Sequence, residues 1–238
     1  MGDTPHTQES LLRPRKSTVV DLSHPLISAA VPAAEGHPKY SACCVSSIAT
    51  GNISNVHSLT LGTHTGTHID APYHFFDSGT TVDKLDLSLL TAVHAVVADL
   101  RHKKSREPIT WEDLEGYEER MSSGVALLLC TGWSKNWCAA NYDQHPFLTL
   151  DAAKNILARG IKVVGVDTMS PDEITEDGDV GHVHRQLLGN GGVIVENLTG
   201  LEHLLQSGIA DADLRVTLLP LCLSGCDGSP IRAVAWSK

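Results

Sequence analysis

The chain is poor in aromatic and basic side chains, and it lacks a long apolar run. Phe, Trp and Tyr make up 5% of its 238 residues, and 18 Lys and Arg stand against 28 Asp and Glu, which gives a formal charge of −10. No apolar stretch reaches the ~18 residues that a membrane-spanning helix needs. The basic clusters, at residues 13–16 and 101–106, are too short for a nucleic-acid surface. We therefore expect neither a membrane nor a nucleic acid as partner.

Cysteine motifs and a secretion signal are also missing. The six cysteines form no Cys-X-X-Cys pair, and the N-terminus has no apolar signal region. Reduced thiols and a cytoplasmic location are therefore expected. Cys222 and Cys226 lie four residues apart, a spacing that invites a metal assignment. Their apolar surroundings instead favour core packing, in a buried strand that runs into a turn.

Histidine is the residue that the chain has in excess, with 13 in total. Four side chains able to bind a metal or a proton fall within residues 64–74: His64, His68, Asp70 and His74. Gly66, Pro72 and the β-branched residues between them disfavour a helix here. In an extended segment the even-numbered side chains share one side, so these four are expected to converge.

The spacing within this segment requires a bend. Full extension would separate the α-carbons of His64 and His68 by about 13–14 Å, near the limit for two imidazoles that share one ion. Gly66 is the expected position of the bend. Two histidines and a carboxylate are the ligands that catalytic zinc uses while one position stays open for water. The pattern indicates a hydrolytic metal site, and the alternative is a histidine-rich loop without a ligand.

Residues 64–74, HTGTHIDAPYH, resemble the HxGTHxDxPxH signature of the metal-dependent cyclase family. That family includes bacterial-type kynurenine formamidases, isatin hydrolase and some lactone hydrolases. Similarity extends from VDLSHP at 20–25 to GSPIRAV at 228–234. The resemblance implies an α/β fold of the swivelling β/β/α type in a single domain, residues 18–238, and a homodimer or homotetramer. Residues 1–17 are polar and contain prolines, which predicts a disordered tail.

The resemblance also implies distal metal ligands, His184 and Glu196, because they stand in the family's His-Arg-Gln-Leu-Leu and Glu-Asn-Leu contexts. His182 lacks that context. Glu196 is noteworthy by itself, since a carboxylate after the apolar residues 193–195 is costly to bury without a cation. The alternative is that Glu196 and Asn197 leave the strand into solvent.

Two divalent ions follow from the resemblance. One would be held by His64, His68 and Asp70, and the other by His184 and Glu196, with Asp70 bridging them. The imidazole content favours Zn²⁺, and Mn²⁺ is the second choice. His74 would then be the acid/base group. Asp167 and Asp227, each at the end of an apolar segment, are expected to support the site without binding metal directly.

The substrate class follows less directly. Relatives that act on aryl formamides carry a large aromatic residue in the region of residues 26–40, where only Tyr40 is available here. We therefore predict a metal-dependent hydrolase of a small amide, cyclic imide, lactam or lactone. The alternatives are a non-hydrolytic cyclase or isomerase, and a metal-binding protein without catalysis. The intact His74 disfavours the last.

Apolar patterning predicts the secondary structure. Strands are expected at residues 18–22, 41–48, 55–61, 93–100, 124–131 and 162–166, and helices at 110–121 and 149–158. This succession predicts helices packed on a central sheet. Trp133 and Trp137 are candidates for the mouth of a pocket, although packing explains Trp133 equally well. His57 is expected to be a structural or surface residue.

Overall fold

The computed structural model describes residues 19–27, 31, 36–175, 181–208 and 213–237. The predicted N-terminal tail, residues 1–17, lies outside these ranges. The strands, in chain order, are β1 (Val20–Asp21), β2 (Ser41–Ser46), β3 (Val56–Thr60), β4 (His68–Asp70), β5 (Val93–Asp99), β6 (Pro108–Ile109), β7 (Val125–Cys130), β8 (Phe147–Leu148), β9 (Val163–Val166), β10 (Val193–Glu196), β11 (Leu214–Thr217), β12 (Gly228–Pro230) and β13 (Val234–Ser237). The α-helices are α1 (Leu150–Ala158), α2 (His182–Leu188) and α3 (Leu201–Gln206).

Nine of the strands in the described ranges form one mixed sheet. Its order is β1-β13-β11-β5-β7-β9-β10-β4-β12. The central strands β5, β7, β9 and β10 are parallel, and the strands on both sides of them pair antiparallel. Two small sheets lie outside it, an antiparallel β2–β3 hairpin and a parallel β6–β8 pair. The strands predicted at 93–100, 124–131 and 162–166 are confirmed as β5, β7 and β9.

The central strands are buried on both faces, which explains their continuous apolar sequences. In β7, Ala126 and Leu128 belong to one core cluster, and Leu127 and Leu129 belong to another on the opposite face. The second cluster includes buried residues of α1 and α2, while the first includes those of α3. The sheet is thus the middle layer of an α/β domain, as predicted.

Helix α1 follows its sequence signals closely. The side chain of Thr149 accepts a hydrogen bond from the backbone N–H of Ala152, so Thr149 caps the helix as its sequence position suggests. Gly160 follows the end of the helix with a φ of 84°. This left-handed conformation suits glycine, and it ends the helix where the sequence predicted.

Two local predictions were wrong. The segment predicted as a helix over 110–121 forms a 3-10 helix at Glu115–Arg120 instead. Its expected start is partly kept, because the carboxylate of Asp113 accepts the backbone N–H of Thr110 at 2.7 Å. Cys222 is exposed and lies outside any strand, so its predicted burial in a strand was wrong, although Cys226 packs partly buried against the core.

The short strand β4 has the most consequential position. It pairs antiparallel with β10 on one side and with β12 on the other. Residues from the first third of the chain are thereby placed between two strands from the last third. Within the described ranges, no helix combines the length and the apolar character that a membrane crossing requires.

Candidate metal and catalytic site

Strand β4 and its neighbour β10 place three ionisable side chains together. The register sets His68 opposite Glu196, so the two side chains are cross-strand neighbours. His68 Nε2 lies 3.2 Å from Glu196 Oε2 and 3.3 Å from Asp70 Oδ1. Asp70 is two residues after His68 and therefore shares its face of the strand. Glu196 is buried and does not leave the strand into solvent.

A bend at Gly66 brings His64 to the same place. Gly66 has a φ of +67°, a left-handed conformation that favours glycine. Beyond the bend, His64 Nδ1 lies 2.7 Å from Asp70 Oδ1. The bend predicted from the spacing is confirmed.

A 3-10 turn after β4 returns His74 to the cluster. The turn, Pro72–His74, begins with proline, which fixes the backbone for a tight turn. The rings of His74 and His64 lie 4.0 Å apart between centroids. His74 Nδ1 is 3.3 Å from Asp227 Oδ2, and that oxygen is 2.7 Å from His64 Nε2. All four side chains of the motif therefore converge.

Helix α2 supplies His184 from the opposite direction. His184 Nε2 lies 3.3 Å from Asp70 Oδ2 and 3.2 Å from Glu196 Oε1. Its other nitrogen, Nδ1, lies 2.6 Å from Asp172 Oδ2. Asp172 also accepts the backbone N–H groups of Val183 and His184 at 2.7 and 3.0 Å, so one carboxylate caps the helix and orients the imidazole.

Several buried atoms at the centre of this cluster have no hydrogen-bond partner among the described residues. They are His68 Nε2, Asp70 Oδ2 and Glu196 Oε1, which make no hydrogen bond although ionisable atoms of the cluster lie 3.2–3.3 Å away. An unpaired buried polar atom is costly, and three at one point call for a common partner. Two imidazoles and two carboxylates are a ligand set that Zn²⁺ and Mn²⁺ accept. The residues present therefore fit a divalent cation.

The charges in the cluster are strongly coupled. Burial opposes the charged form of His68, but the charges and hydrogen bonds of Asp70 and Glu196 together outweigh it and raise the pKa of His68 to about 10. Burial likewise opposes charge on His184, and its hydrogen bond to Asp172 helps to raise its pKa well above the usual value. Burial would raise the pKa of Asp70, yet the neighbouring His68 lowers it well below normal. In the absence of metal, the imidazoles thus neutralise the carboxylates.

His74 behaves differently from these ligand candidates. Burial lowers the pKa of its imidazole, and the nearby charge of Asp70 does not fully offset this effect. Its side chain is 24% exposed, compared with 2% for His68. A neutral imidazole with access to a pocket can accept a proton from water.

The cluster forms the floor of a pocket of about 230 Å³. Phe75, Met169 and Ile174 supply apolar lining, and His37 lies at 6.0 Å from the ring of His64 between centroids. The ring of Phe75 stacks on that of His184 at 4.8 Å. An ion at the floor would therefore face a space large enough for a small molecule.

Some site residues escaped sequence reasoning. Asp172 is one, because it stands twelve residues before His184 and no local pattern marks it. His37 is another, since the sequence drew attention to Tyr40 in the same segment; Tyr40 is not among the described residues that line the pocket. Asp227 was identified as a strand-end residue, and its contacts with His64 and His74 agree with a supporting role.

Other candidates lie elsewhere. Asp167 accepts the backbone N–H groups of Thr131 and Gly132 at 3.0 and 2.7 Å, away from the cluster. Trp133 is buried with its Nε1 bonded to the carbonyl of Tyr142, and Trp137 stacks on His24. Neither tryptophan belongs to the described lining of the pocket. His57 and His182 are exposed and outside the cluster, as expected.

Comparisons with known proteins bear on the family and the fold of the chain. The Cyclase family model matches residues 20–173. A kynurenine formamidase of Bacillus cereus is 37% identical over 180 residues, which cover 76% of this chain and 79% of that protein. Among solved structures, isatin hydrolase A from Ralstonia solanacearum matches with a TM-score of 0.79 at 24% identity, covering 93% of this chain and 92% of that one.

A further solved structure, a Bacillus stearothermophilus protein described as a "predicted metal-dependent hydrolase", matches with a TM-score of 0.69 at 23% identity and covers 93% of this chain and 98% of that one. The structural matches confirm the fold that the sequence resemblance implied, and the match to the formamidase extends over three quarters of the chain. The chain therefore belongs to the cyclase family, and it is an enzyme, a hydrolase.

Proposed function

We propose that the protein hydrolyses the C–N or C–O bond of a small amide, cyclic imide, lactam or lactone. The observation that carries this proposal is a buried cluster of imidazoles and carboxylates beside the pocket, in which one atom each of His68, Asp70 and Glu196 makes no hydrogen bond. The proposed metal ligands are His64, His68, Asp70, His184 and Glu196. A bound divalent ion would polarise the scissile carbonyl and make a water molecule more acidic.

Two ions are proposed because the ligand candidates form two groups that share Asp70. His64, His68 and Asp70 offer one ligand atom each within 4.8 Å of one another, and His184 Nε2 lies 3.3 Å from the other carboxylate oxygen of Asp70. Glu196 lies beside both groups, within 3.2 Å of His68 and of His184. The excess of imidazole over carboxylate favours Zn²⁺, with Mn²⁺ as the alternative.

His74 is the proposed acid/base group. Its Nδ1 is held by Asp227, which leaves Nε2 for proton transfer. The lowered pKa of His74 keeps the ring neutral near pH 7, so it can take a proton from the attacking water and return it to the leaving nitrogen or oxygen. It is the histidine of the cluster with the largest exposed fraction, so that it can reach a substrate.

The lining of the pocket suits an apolar carbonyl compound. Phe75, Met169 and Ile174 offer apolar contacts, and the described lining contains no Lys or Arg. The relatives named above are formamidases and isatin hydrolases, whose substrates by name are a kynurenine formamide and isatin. An aryl amide or a cyclic dione of similar size fits a pocket that has an apolar lining and a metal-binding cluster at its base.

Mass spectrometry of products tests the proposal. The metal-loaded protein and a chelated control are incubated with a panel of aryl formamides, isatin-like imides, lactams and lactones. We expect a metal-dependent gain of one water on at least one class. A protein that holds its metal and converts its substrate without a change in mass would instead be the non-hydrolytic cyclase or isomerase.

The variant His74→Ala separates metal binding from proton transfer. We expect it to retain the metal and to lose about 100-fold or more in turnover, the usual scale of acid/base catalysis. Metal content is measured by elemental analysis and turnover by product formation. Unchanged turnover would remove His74 from the mechanism.

A homodimer or homotetramer is part of the proposal. The β2–β3 hairpin exposes apolar side chains on an isolated two-stranded ribbon: Val45 is 64% exposed and Leu59 58%. Such a ribbon is marginal alone, and a second copy of the chain would cover it. Light scattering should give a multiple of 25.5 kDa, and Leu59→Glu should shift it toward the monomer. A monomeric wild-type chain would refute this part.

The cysteines bear on the compartment. All six are free, and Cys130 is buried in the core while Cys43 and Cys44 are exposed. Exposed adjacent thiols without a disulfide are typical of a reducing environment. We therefore place the enzyme in the cytoplasm as part of the proposal, and subcellular fractionation tests this assignment.

A further inference from the structure

The carbonyl of Gly66 fixes the state of His68. His68 Nδ1 lies 2.8 Å from this oxygen, and a carbonyl oxygen can only accept, so Nδ1 carries the hydrogen. In the neutral form that can bind a metal, His68 Nε2 then bears the lone pair, and it is the atom that faces Asp70 and Glu196. The position of one backbone carbonyl thus decides both the tautomer and the direction of a proposed metal ligand.

Asn197 holds the same carbonyl from the other side. Its Nδ2 donates to the Gly66 oxygen at 3.0 Å, and its own backbone carbonyl accepts the hydroxyl of Thr67 at 2.6 Å. Asn197 has a φ of 57°, a left-handed conformation that residues other than glycine seldom adopt and that asparagine tolerates best. Its 5% exposure leaves the side chain dependent on protein partners.

Tyr142 anchors the amide oxygen of Asn197. Its hydroxyl donates to Asn197 Oδ1 at 2.8 Å, and the Gly66 carbonyl, which can only accept, takes the amide N–H. Tyr142 is 2% exposed, and its carbonyl is bonded to Trp133 Nε1 at 2.9 Å. It is not among the described residues that line the pocket, so it acts on the site only through Asn197.

We propose that Tyr142 is a positioning residue for the metal site, acting through Asn197 and the Gly66 carbonyl on the imidazole of His68. This inference rests on the metal site proposed above. Loss of the Tyr142 hydroxyl frees the Asn197 amide to rotate. The Gly66 carbonyl, which accepts from His68 Nδ1, is then held less firmly, and the direction of His68 Nε2 is less well fixed. The expected consequence is weaker metal binding without a change in any metal-binding side chain.

The test uses Tyr142→Phe, which removes one oxygen atom and keeps the ring. Tyr117→Phe is the matched control, because the hydroxyl of Tyr117 also makes one internal bond, from the backbone N–H of Asp99 at 2.8 Å, but away from the site. Zn²⁺ affinity of the full chain is measured by competition with a chromophoric chelator. Thermal unfolding of the metal-free proteins and the visible spectrum of the Co²⁺-loaded proteins are recorded in parallel.

We expect Tyr142→Phe to weaken Zn²⁺ binding about tenfold and to alter the Co²⁺ spectrum, and Tyr117→Phe to do neither. Asn197→Ala should weaken binding at least as much, and adding Tyr142→Phe to it should cause no further loss, since Tyr142 acts through Asn197. Additive losses would refute this route of action.

Two other outcomes separate this inference from the proposed function. Wild-type protein that binds Zn²⁺ while Tyr142→Phe matches its affinity and spectrum overturns the positioning role and leaves the metal site intact. A lower unfolding temperature of metal-free Tyr142→Phe with unchanged affinity also overturns it, because the hydroxyl would then serve the fold alone. Wild-type protein that binds no divalent ion overturns the proposed function itself.

Discussion

His68 and His184 face each other across the site, and their supports differ. Both rings are buried, and both direct Nε2 toward Asp70 and Glu196. Nδ1 of His68 donates to a neutral backbone carbonyl two residues away, whereas Nδ1 of His184 contacts the carboxylate of Asp172, twelve residues away. The motif at residues 64–74 thus orients its proposed ligand His68 with its own backbone. His184 instead depends on the charged side chain of Asp172, which also makes the imidazole more basic.

The carboxylate between the two histidines gives the largest expected effect. Asp70→Asn removes the charge that both rings contact, so each should lose its shared partner and the site its bridging ligand. We expect Zn²⁺ affinity to fall by more than about 100-fold, beyond the range typical of outer partners, and turnover to fall with it. Chelator competition and product formation measure the two losses.

Asp77→Asn is the control for this substitution. Asp77 is exposed and lies seven residues further along the same segment, so the identical change there should leave metal affinity unaltered. Near-normal Zn²⁺ affinity of Asp70→Asn would contradict the proposed bridging role. It would also show that His68 and His184 do not depend on a shared carboxylate.

The support of His184 gives the next effect. Asp172→Asn keeps the shape of the side chain but removes the charge beside His184 Nδ1, and it weakens the cap of α2. We expect a loss of about 10–100-fold in Zn²⁺ affinity, larger than that of Tyr142→Phe, because a charged partner is replaced by a neutral one. The same chelator competition measures it.

Glu173→Gln, a neutralisation at the next residue, serves as the control for Asp172→Asn. The order of the two losses is the informative result. If the backbone carbonyl that holds His68 contributed as much to Zn²⁺ affinity as the carboxylate that holds His184, Tyr142→Phe and Asp172→Asn would weaken binding equally. That result would contradict the difference proposed between the two histidines.

The pKa of a third histidine, His24, shows the effect of burial on an imidazole whose Nε2 has no hydrogen-bond partner among the described residues. Its ring stacks on Trp137, its Nε2 is buried with no hydrogen-bond partner among the described residues, and burial lowers its pKa from 6.5 to about 4. The unfolded chain therefore binds more protons between these values, so stability rises with pH across that range and is lost as the pH falls from 6.5 through 4.

His24→Phe should remove this sensitivity to acid while it keeps the stacking. Between about pH 7 and about pH 4.5 we expect the wild type to lose about 1–2 kcal/mol more of its free energy of unfolding than the variant does. Urea unfolding at the two pH values measures the difference. Parallel losses in the two proteins would show that the ring of His24 is not held neutral by the fold.

Sequence reasoning succeeded where the chemistry is local. The convergence of His64, His68, Asp70 and His74 was predicted from spacing. Alternation on β4 accounts for His68 and Asp70, and the bend at Gly66 accounts for His64. The 3-10 turn that returns His74 was not predicted. The buried strands β5, β7 and β9 follow from continuous apolar runs. His184 and Glu196 were predicted from family resemblance, and the structure places both beside Asp70 or His68.

The remaining features depend on contacts between distant segments. Nothing near Asp172 in the sequence shows that it meets His184, and nothing near Tyr142 shows that it reaches Asn197. The placement of β4 between β10 and β12 is a tertiary pairing that alternation within β4 does not encode. The segment predicted as a helix over 110–121 became a 3-10 turn because propensity is a weak guide beside packing, and Gly116 lies within it.

The position of β4 has a consequence for how the enzyme is made. Residues 68–70 emerge from the ribosome long before their two neighbouring strands, at 193–196 and 228–230. Domains fold as units, so the nascent chain contains the motif long before it contains the two strands that position it. The complete site proposed for the metal can therefore form only after β10 and β12 have been synthesised.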